Sequence, residues 1–309
     1  MTKPATPRPR AAVHSIDHFA LHVPSLADAR TFFQAFGLEV RRAGAGHGEL
    51  ELRAGDGHRW ARILEAERKS LGYLCFNAFA DDLSPLRDQV AQAGAALRDV
   101  QEDGFSFHDP DGNLILVRIG PRTAPDQKKR NGIGDGGADR RGACTRAQVR
   151  RVIPGRLSHV LLFTPDVLRA VDFYAQALGL RLSDKSQDLI AFTHAPHGCD
   201  HHLVAFAKSS ARGWHHSSWE VTDVNAVGEG AAQMAAAGYA KGWGTGRHVL
   251  GSNYFHYVED PWGSFCEYSA DMDFISAGHA WPSGDFAPED SLYLWGPAVP
   301  ENFVRNTEA

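Results

Sequence analysis

Disulfide scaffolds and zinc knuckles have no footing in this chain. Its four cysteines, Cys75, Cys144, Cys199 and Cys266, are scattered and form no C-x-x-C pair. A reducing cytoplasm is the simplest home for such thiols. Nothing approaches the ~20 apolar residues of a membrane span. The first ten residues, Met1 to Arg10, lack the apolar core of a secretory signal and read as a flexible tail. An excess of basic charge is missing as well. Net charge is -5 and the isoelectric point is near 6.3, so nucleic acid is not an expected partner. What is present is a globular composition, 43% hydrophobic and 22% charged, over 309 residues, enough for two domains. There are also 16 histidines, several side by side.

The chain carries one pattern twice. Ile16-Asp17-His18-Phe19-Ala20-Leu21-His22-Val23-Pro24 matches Leu157-Ser158-His159-Val160-Leu161-Leu162-Phe163-Thr164-Pro165. Phe33 follows His18 at the spacing with which Tyr174 follows His159, and Gly37-Leu38 matches Gly179-Leu180 with a one-residue offset. Each stretch reads as a strand, a turn, a short amphipathic helix with Phe32-Phe33 or Phe173-Tyr174 inward, and a glycine stop. Strands are expected at Gly48–Leu52, Ala61–Leu64 and Leu203–Phe206. A second unit follows in each copy, Leu71 to Ile119 and Trp214 to Phe274, with helices expected from Leu83 to Gly94 and from Val224 to Gly238. Each unit ends in an Asp-Pro-x-Gly turn, at Asp109-Pro110-Asp111-Gly112 and Asp260-Pro261-Trp262-Gly263. The expected fold is α+β: two tandem domains of two βαβββ modules each. The domains span 14–120 and 157–275, a Gly-, Arg- and Asp-rich linker spans 121–156, and a tail spans 276–309. Trp281, Tyr293 and Trp295 imply that this tail packs on the second domain.

Aligned on the Asp-Pro turn, the two copies differ where chemistry could lie. Tyr257 falls on Ser106 and Glu267 on Leu116, His159 matches His18, and His216 falls on Leu74 or Cys75. Alternation places Glu267 on one strand face with Phe265 and Ser269, with Cys266 on the other. A carboxylate facing a core is costly unless paired or bound to metal. With two neutral imidazoles it makes the 2-His-1-carboxylate set of non-haem Fe(II) oxygenases. Any one histidine taken alone is more often an ordinary core or surface residue than a ligand. Trp214 and Trp243 read as packing, and His194, His197 and His201 as surface or supporting groups.

The stretch Gly246-Arg247-His248 … Tyr257-Val258-Glu259-Asp260-Pro261-Trp262-Gly263-Ser264-Phe265-Cys266-Glu267 resembles the signature of the type I extradiol dioxygenases of the vicinal oxygen chelate superfamily. One position departs: His256 stands where an aliphatic residue or Phe is usual. The resemblance implies Fe(II), with Mn(II) as the alternative, held by His159, His216 and Glu267. His216 is chosen over His215, and His202 over His201, as the second of each pair. It further implies His202 as acid–base residue, and His248 and Tyr257 as hydrogen-bonding partners of substrate. The function so implied is insertion of both atoms of O2 into a catechol, as in aromatic hydrocarbon catabolism. The enzyme would be a cytoplasmic homo-oligomer with a metal-free first domain. A metal-dependent lyase or isomerase of the same superfamily, or a non-catalytic small-molecule binding protein, is the alternative.

Overall fold

The computed structural model describes residues 10–43, 48–128, 138–139 and 141–309. The start expected to be flexible, Met1 to Pro9, lies outside them, as do Lys129, Arg130 and Arg140 of the expected linker.

The first half runs β1 (Val13–Val23), α1 (Leu26–Phe36), β2 (Glu39–Arg42), β3 (Glu49–Arg53), β4 (Arg59–Glu65), β5 (Ser70–Ala78), α2 (Ala80–Gln92), β6 (Arg98–Gln101), β7 (Gly104–His108) and β8 (Leu114–Ile119). The second half repeats the order: β9 (Arg156–Thr164), α3 (Val167–Leu178), β10 (Arg181–Ser186), β11 (Ile190–His194), β12 (Cys199–Asp200), β13 (Val204–Lys208), β14 (Gly213–Glu220), α4 (Val224–Ala236), β15 (Gly242–Arg247), β16 (Tyr254–Glu259), β17 (Phe265–Ala270) and β18 (Phe274–Ile275). Each half makes one eight-stranded sheet, ordered β2-β3-β4-β1-β5-β8-β7-β6 and β10-β11-β13-β9-β14-β17-β16-β15. In both, the first strand of each βαβββ unit runs parallel to that unit's last strand. The two first strands pair antiparallel at the centre. This is the expected α+β arrangement of two tandem modules. β12 and β18 form a small separate pair.

Local chemistry sets the helices. Ser25 and Asp166 cap α1 and α3 by accepting from the backbone N–H of Asp28 and Arg169. Gly37 (φ 103°) and Gly179 (φ 69°) end them in the left-handed region. Both glycines also admit a close neighbour. A Cβ on Gly37 would lie 2.2 Å from the carbonyl oxygen of Val152, and one on Gly179 would lie 2.4 Å from that of Ala11. These are the approach segments to β9 and β1, so each half's leading segment rests on the other half's first helix.

The helical faces of both sheets share one core. Phe36 stacks on Tyr268 with ring centroids 4.0 Å apart, and the Tyr268 hydroxyl donates to the Phe36 carbonyl at 2.7 Å. Phe19 packs on Trp214, and Phe107 on Phe173. Phe32, Phe33, Phe173 and Tyr174 are buried, as their spacing predicts. That burial leaves the opposite face of each sheet free to line a cavity. Among the described residues no helix is long and apolar enough to cross a membrane.

Burial lowers three histidines outside the candidate site, His14, His194 and His256, from 6.5 to about 4. Below 6.5 the unfolded chain takes up protons that these rings refuse when folded. Their contribution to stability is therefore present above 6.5 and is lost as the pH falls toward 4. Each pKa unit corresponds to about 1.4 kcal/mol. Urea midpoints should fall progressively between pH 7 and 4.5, and replacing the three by Gln or Leu should flatten that slope.

Candidate metal centre

Strand alternation on the second sheet builds the site. On β9 the residues Val160 and Leu162 enter the core, so His159, Leu161 and Phe163 face the other way. On β17 Cys266, Tyr268 and Ala270 take the core side, and Glu267 takes the cavity side with Phe265 and Ser269. β14 pairs with both: Ser218 lies opposite His159 and beside Glu267, which places His216 one pleat further along the same face.

Three lone pairs converge there. The Nε2 atoms of His159 and His216 are 3.2 Å apart, and Glu267 Oε2 lies 3.3 Å from the first and 3.7 Å from the second. The Glu267 side chain has no solvent exposure. Its Oε1 accepts from Asn253 Nδ2 at 3.0 Å, while Oε2 makes no hydrogen bond. Burial opposes the charge on Glu267, yet the contact with His159 and the nearby His248 hold its carboxyl below the usual range. An orphaned buried carboxylate oxygen facing two imidazole nitrogens fits a divalent cation.

Hydrogen bonds assign the tautomers. The Phe303 carbonyl can only accept, so His215 Nε2–H donates to it at 2.6 Å. Neutral His215 then accepts at Nδ1 from His216 Nδ1–H, also at 2.6 Å, leaving His216 Nε2 unprotonated toward the centre. Ser158 accepts from His159 Nδ1–H at 3.3 Å, with the same result. A parallel chain backs His202: Asp184 accepts from His201 Nε2–H at 2.7 Å, and His201 accepts from His202 Nδ1–H at 3.1 Å. The Leu292 carbonyl accepts from His248 Nδ1–H at 2.6 Å, and His248 Nε2 accepts from the Tyr257 hydroxyl at 2.9 Å. Burial, then neighbouring histidines, push His202 and His216 well below 6.5, and burial also lowers His248. Burial, then the charge of Glu267, pushes Tyr257 well above 10. His202, His216 and His248 are therefore neutral, and Tyr257 is protonated, at neutral pH.

All six predicted residues thus share one space. The His202 ring packs on His159 with centroids 4.0 Å apart, and Tyr257 lies against His216 at 5.1 Å. His159, His202, His216, His248 and Tyr257 line a cavity of about 410 Å³ roofed by the tail through Pro288, Leu292, Phe303 and Val304, with Glu267 against His159 and His216. The tail is anchored by buried Lys69 of the first half, whose Nζ is 2.9 Å from Glu308 and donates to the Trp214 carbonyl at 3.1 Å. Trp214 and Trp243 are packing residues, as expected, each about 1% exposed.

Some placements differ from the sequence reading. Of the two readings held for them, surface or supporting, His194 and His201 take the second: both are buried and join the Ser183 and Asp184 hydrogen bonds beneath His202. In the first half, Cys75 lies opposite His18 and beside Leu116, so the counterpart of His216 is Tyr73, not Leu74 or Cys75. The Tyr73 hydroxyl sits 2.8 Å from His18 Nε2 and accepts from Arg62. Asp17, His18 and Cys75 form a second cluster of potential metal donors there. Asp17 is already held by His18 and Asn77, and burial pushes the Cys75 thiol up. His256 is on the face of β16 opposite Tyr257, toward Gly244, so its departure from the usual residue lies outside the site. Asn253, Asp184 and the Leu292 and Phe303 carbonyls were not found from sequence. Asn253 could have been suspected from its place between His248 and Tyr257; the carbonyls carry no side-chain signal.

Comparison with known proteins follows from this geometry. The family model of the Glyoxalase/Bleomycin resistance protein/Dioxygenase superfamily matches residues 156–268. Metapyrocatechase 2 of Cupriavidus necator is 63% identical over 306 residues, covering 98% of this chain and 95% of that protein. Among solved structures, the Mn(II)-bound glyoxalase from Novosphingobium aromaticivorans is similar with a TM-score of 0.76 at 24% identity, covering 94% of each chain. BphC, a halotolerant catechol dioxygenase, is similar with a TM-score of 0.71 at 21% identity, covering 92% of this chain and 94% of that one. Both structures share the fold.

Removing the Asn253 amide isolates its contribution. Asn253→Ala should leave the fold intact and weaken metal affinity about 10- to 100-fold, the usual effect of losing a group that orients a ligand. Chelator competition followed by metal analysis measures it, and unchanged affinity would show that Glu267 needs no such support.

Proposed function

We propose a role for each polar group of this site on one premise: the chain belongs to the extradiol catechol dioxygenases of the Glyoxalase/Bleomycin resistance protein/Dioxygenase superfamily. It is a ring-cleaving dioxygenase, an oxidoreductase acting on a catechol. The finer reading concerns the metal, O2 as co-substrate and the residue roles. The observation that carries it is the convergence of His159 Nε2, His216 Nε2 and the unpartnered Glu267 Oε2 beside the cavity that His159 and His216 line.

Those three residues would hold Fe(II), with Mn(II) as the alternative. A divalent metal there would supply a centre that positions a catecholate and O2 together and provides the redox chemistry. The chain's own residues do the rest. His202 is neutral with Nε2 unprotonated, so it can take the proton of a ring hydroxyl and later return it. As it does, Nδ1–H of His202 stays directed at His201, whose far side is anchored on Asp184. Tyr257 remains a phenol and donates to His248, leaving its oxygen free to accept from a substrate hydroxyl. The tail excludes water from the cavity mouth and fixes His215 and His248 through Phe303 and Leu292. The ring C–C bond beside the diol breaks and both atoms of O2 end in the open-chain product, one in its aldehyde and one in its carboxylate, giving a muconic semialdehyde-type compound.

A lyase or isomerase of the same superfamily is the other enzymatic reading. All three donors of this centre come from one half of the chain, and a second-half acid–base histidine stands over them, which favours ring cleavage. His202→Phe should retain iron and bind catechol without O2, yet lose roughly 100-fold or more in turnover. Full turnover in that variant, followed by the yellow ring-cleavage product, would remove His202 from the mechanism.

A further inference from the structure

We infer that the preferred substrate is a catechol carrying an uncharged apolar substituent of several carbons, with carboxylated catechols excluded. The inference rests on the ring-cleaving function above and deepens it to a substrate class.

Size is the first observation. A cavity of ~150 Å³ lined by aliphatic and aromatic side chains already holds benzene. The cavity here is about 410 Å³, so a plain catechol would leave much of it empty. Its shape follows from the strands. From His159 the same face of β9 continues as Leu161 and Phe163. Across it, β11 contributes Ile190 and Phe192. Between them β13 contributes only Ala205 and Ala207, whose small side chains open the space. The trough therefore runs along the sheet away from the polar end, with Leu250 packed on Leu161 and Phe192 along one side.

Charge is the second. The polar end holds histidines, a phenol and the Glu267 carboxylate and, among the described residues, no lysine or arginine. Among the described residues lining the cavity, Lys208 is the one lysine or arginine, and it is a half-exposed rim residue already paired with Asp188. The nearby guanidinium of Arg247 is taken up by the Ser252 carbonyl and lies over the Tyr254 ring, 4.8 Å from its centroid. A substituent carboxylate in the trough would be desolvated without a partner. An alkyl or aryl group would meet apolar walls on the sheet side and Val304 and Leu292 of the tail on the other.

A matched pair of ligands tests this: 3,4-dihydroxyphenylacetate and its methyl ester, assayed with catechol and 4-butylcatechol on the iron-loaded full chain under air. The ester should exceed the acid about 100-fold in kcat/KM, since a site without a counter-ion rejects a buried charge strongly. 4-Butylcatechol should match or exceed catechol. Anaerobic binding, read by tryptophan fluorescence, should show the same ester preference. Ala207→Phe, which fills the trough, should lower the ratio of kcat/KM for 4-butylcatechol over catechol by at least about 10-fold. Catechol cleavage with the acid equal to or better than the ester would overturn the substrate class alone and make Lys208 the counter-ion. No cleavage of any catechol by iron-loaded chain would overturn the ring-cleaving function, and the substrate class with it.

Discussion

A carboxylate with no solvent exposure and one oxygen without a hydrogen bond is the constraint around which the second half is arranged. In a protein interior such a group is unfavourable unless a cation or donors meet it. Here Asn253 meets one oxygen, while the other faces two imidazole nitrogens whose protons are committed elsewhere. Three lone pairs aimed at one point repel each other until a cation neutralises them. The sheet can impose that arrangement because β9, β14 and β17 are adjacent and hydrogen-bonded, so their pleats are in register. The shared helical core makes the register rigid.

The tail completes the site in a way no strand does. Its carbonyls at Leu292 and Phe303 accept from His248 and His215, and its Trp281 and Gly284 N–H groups donate to Asp184. Each contact settles where a proton sits on an imidazole near the centre. Lys69 ties the end of this tail to the first half and to the Trp214 carbonyl, one residue before the His215-His216 pair. The first half thus contributes to the site without supplying a ligand to it. Its own equivalent positions hold an Arg62–Tyr73–His18–Asp17 chain and Leu116, so the paired oxygen that would anchor a cation is replaced by an apolar side chain.

Much of this was legible in the chain itself. The repeat with its Asp-Pro turns implied two copies of one arrangement, and alternation around Cys266 put Glu267 on the cavity side. Reading His216 against its first-half counterpart failed by one or two residues, because the chain between the two central strands is not the same length in the two halves, and only the strand pairing shows where the extra residues fall. For His201 and His194 the sequence left surface and supporting roles both open, because a polar cluster beneath a strand has no periodic signal.

Residue type and spacing by themselves determined the fold class and the duplicated plan, since strand period and turn chemistry are local properties. Tertiary structure alone decided the tautomers, the depth of burial and the shape of the trough. Those depend on carbonyls, on the alanines of β13 and on a tail more than eighty residues beyond His202 in the chain, brought together only by packing.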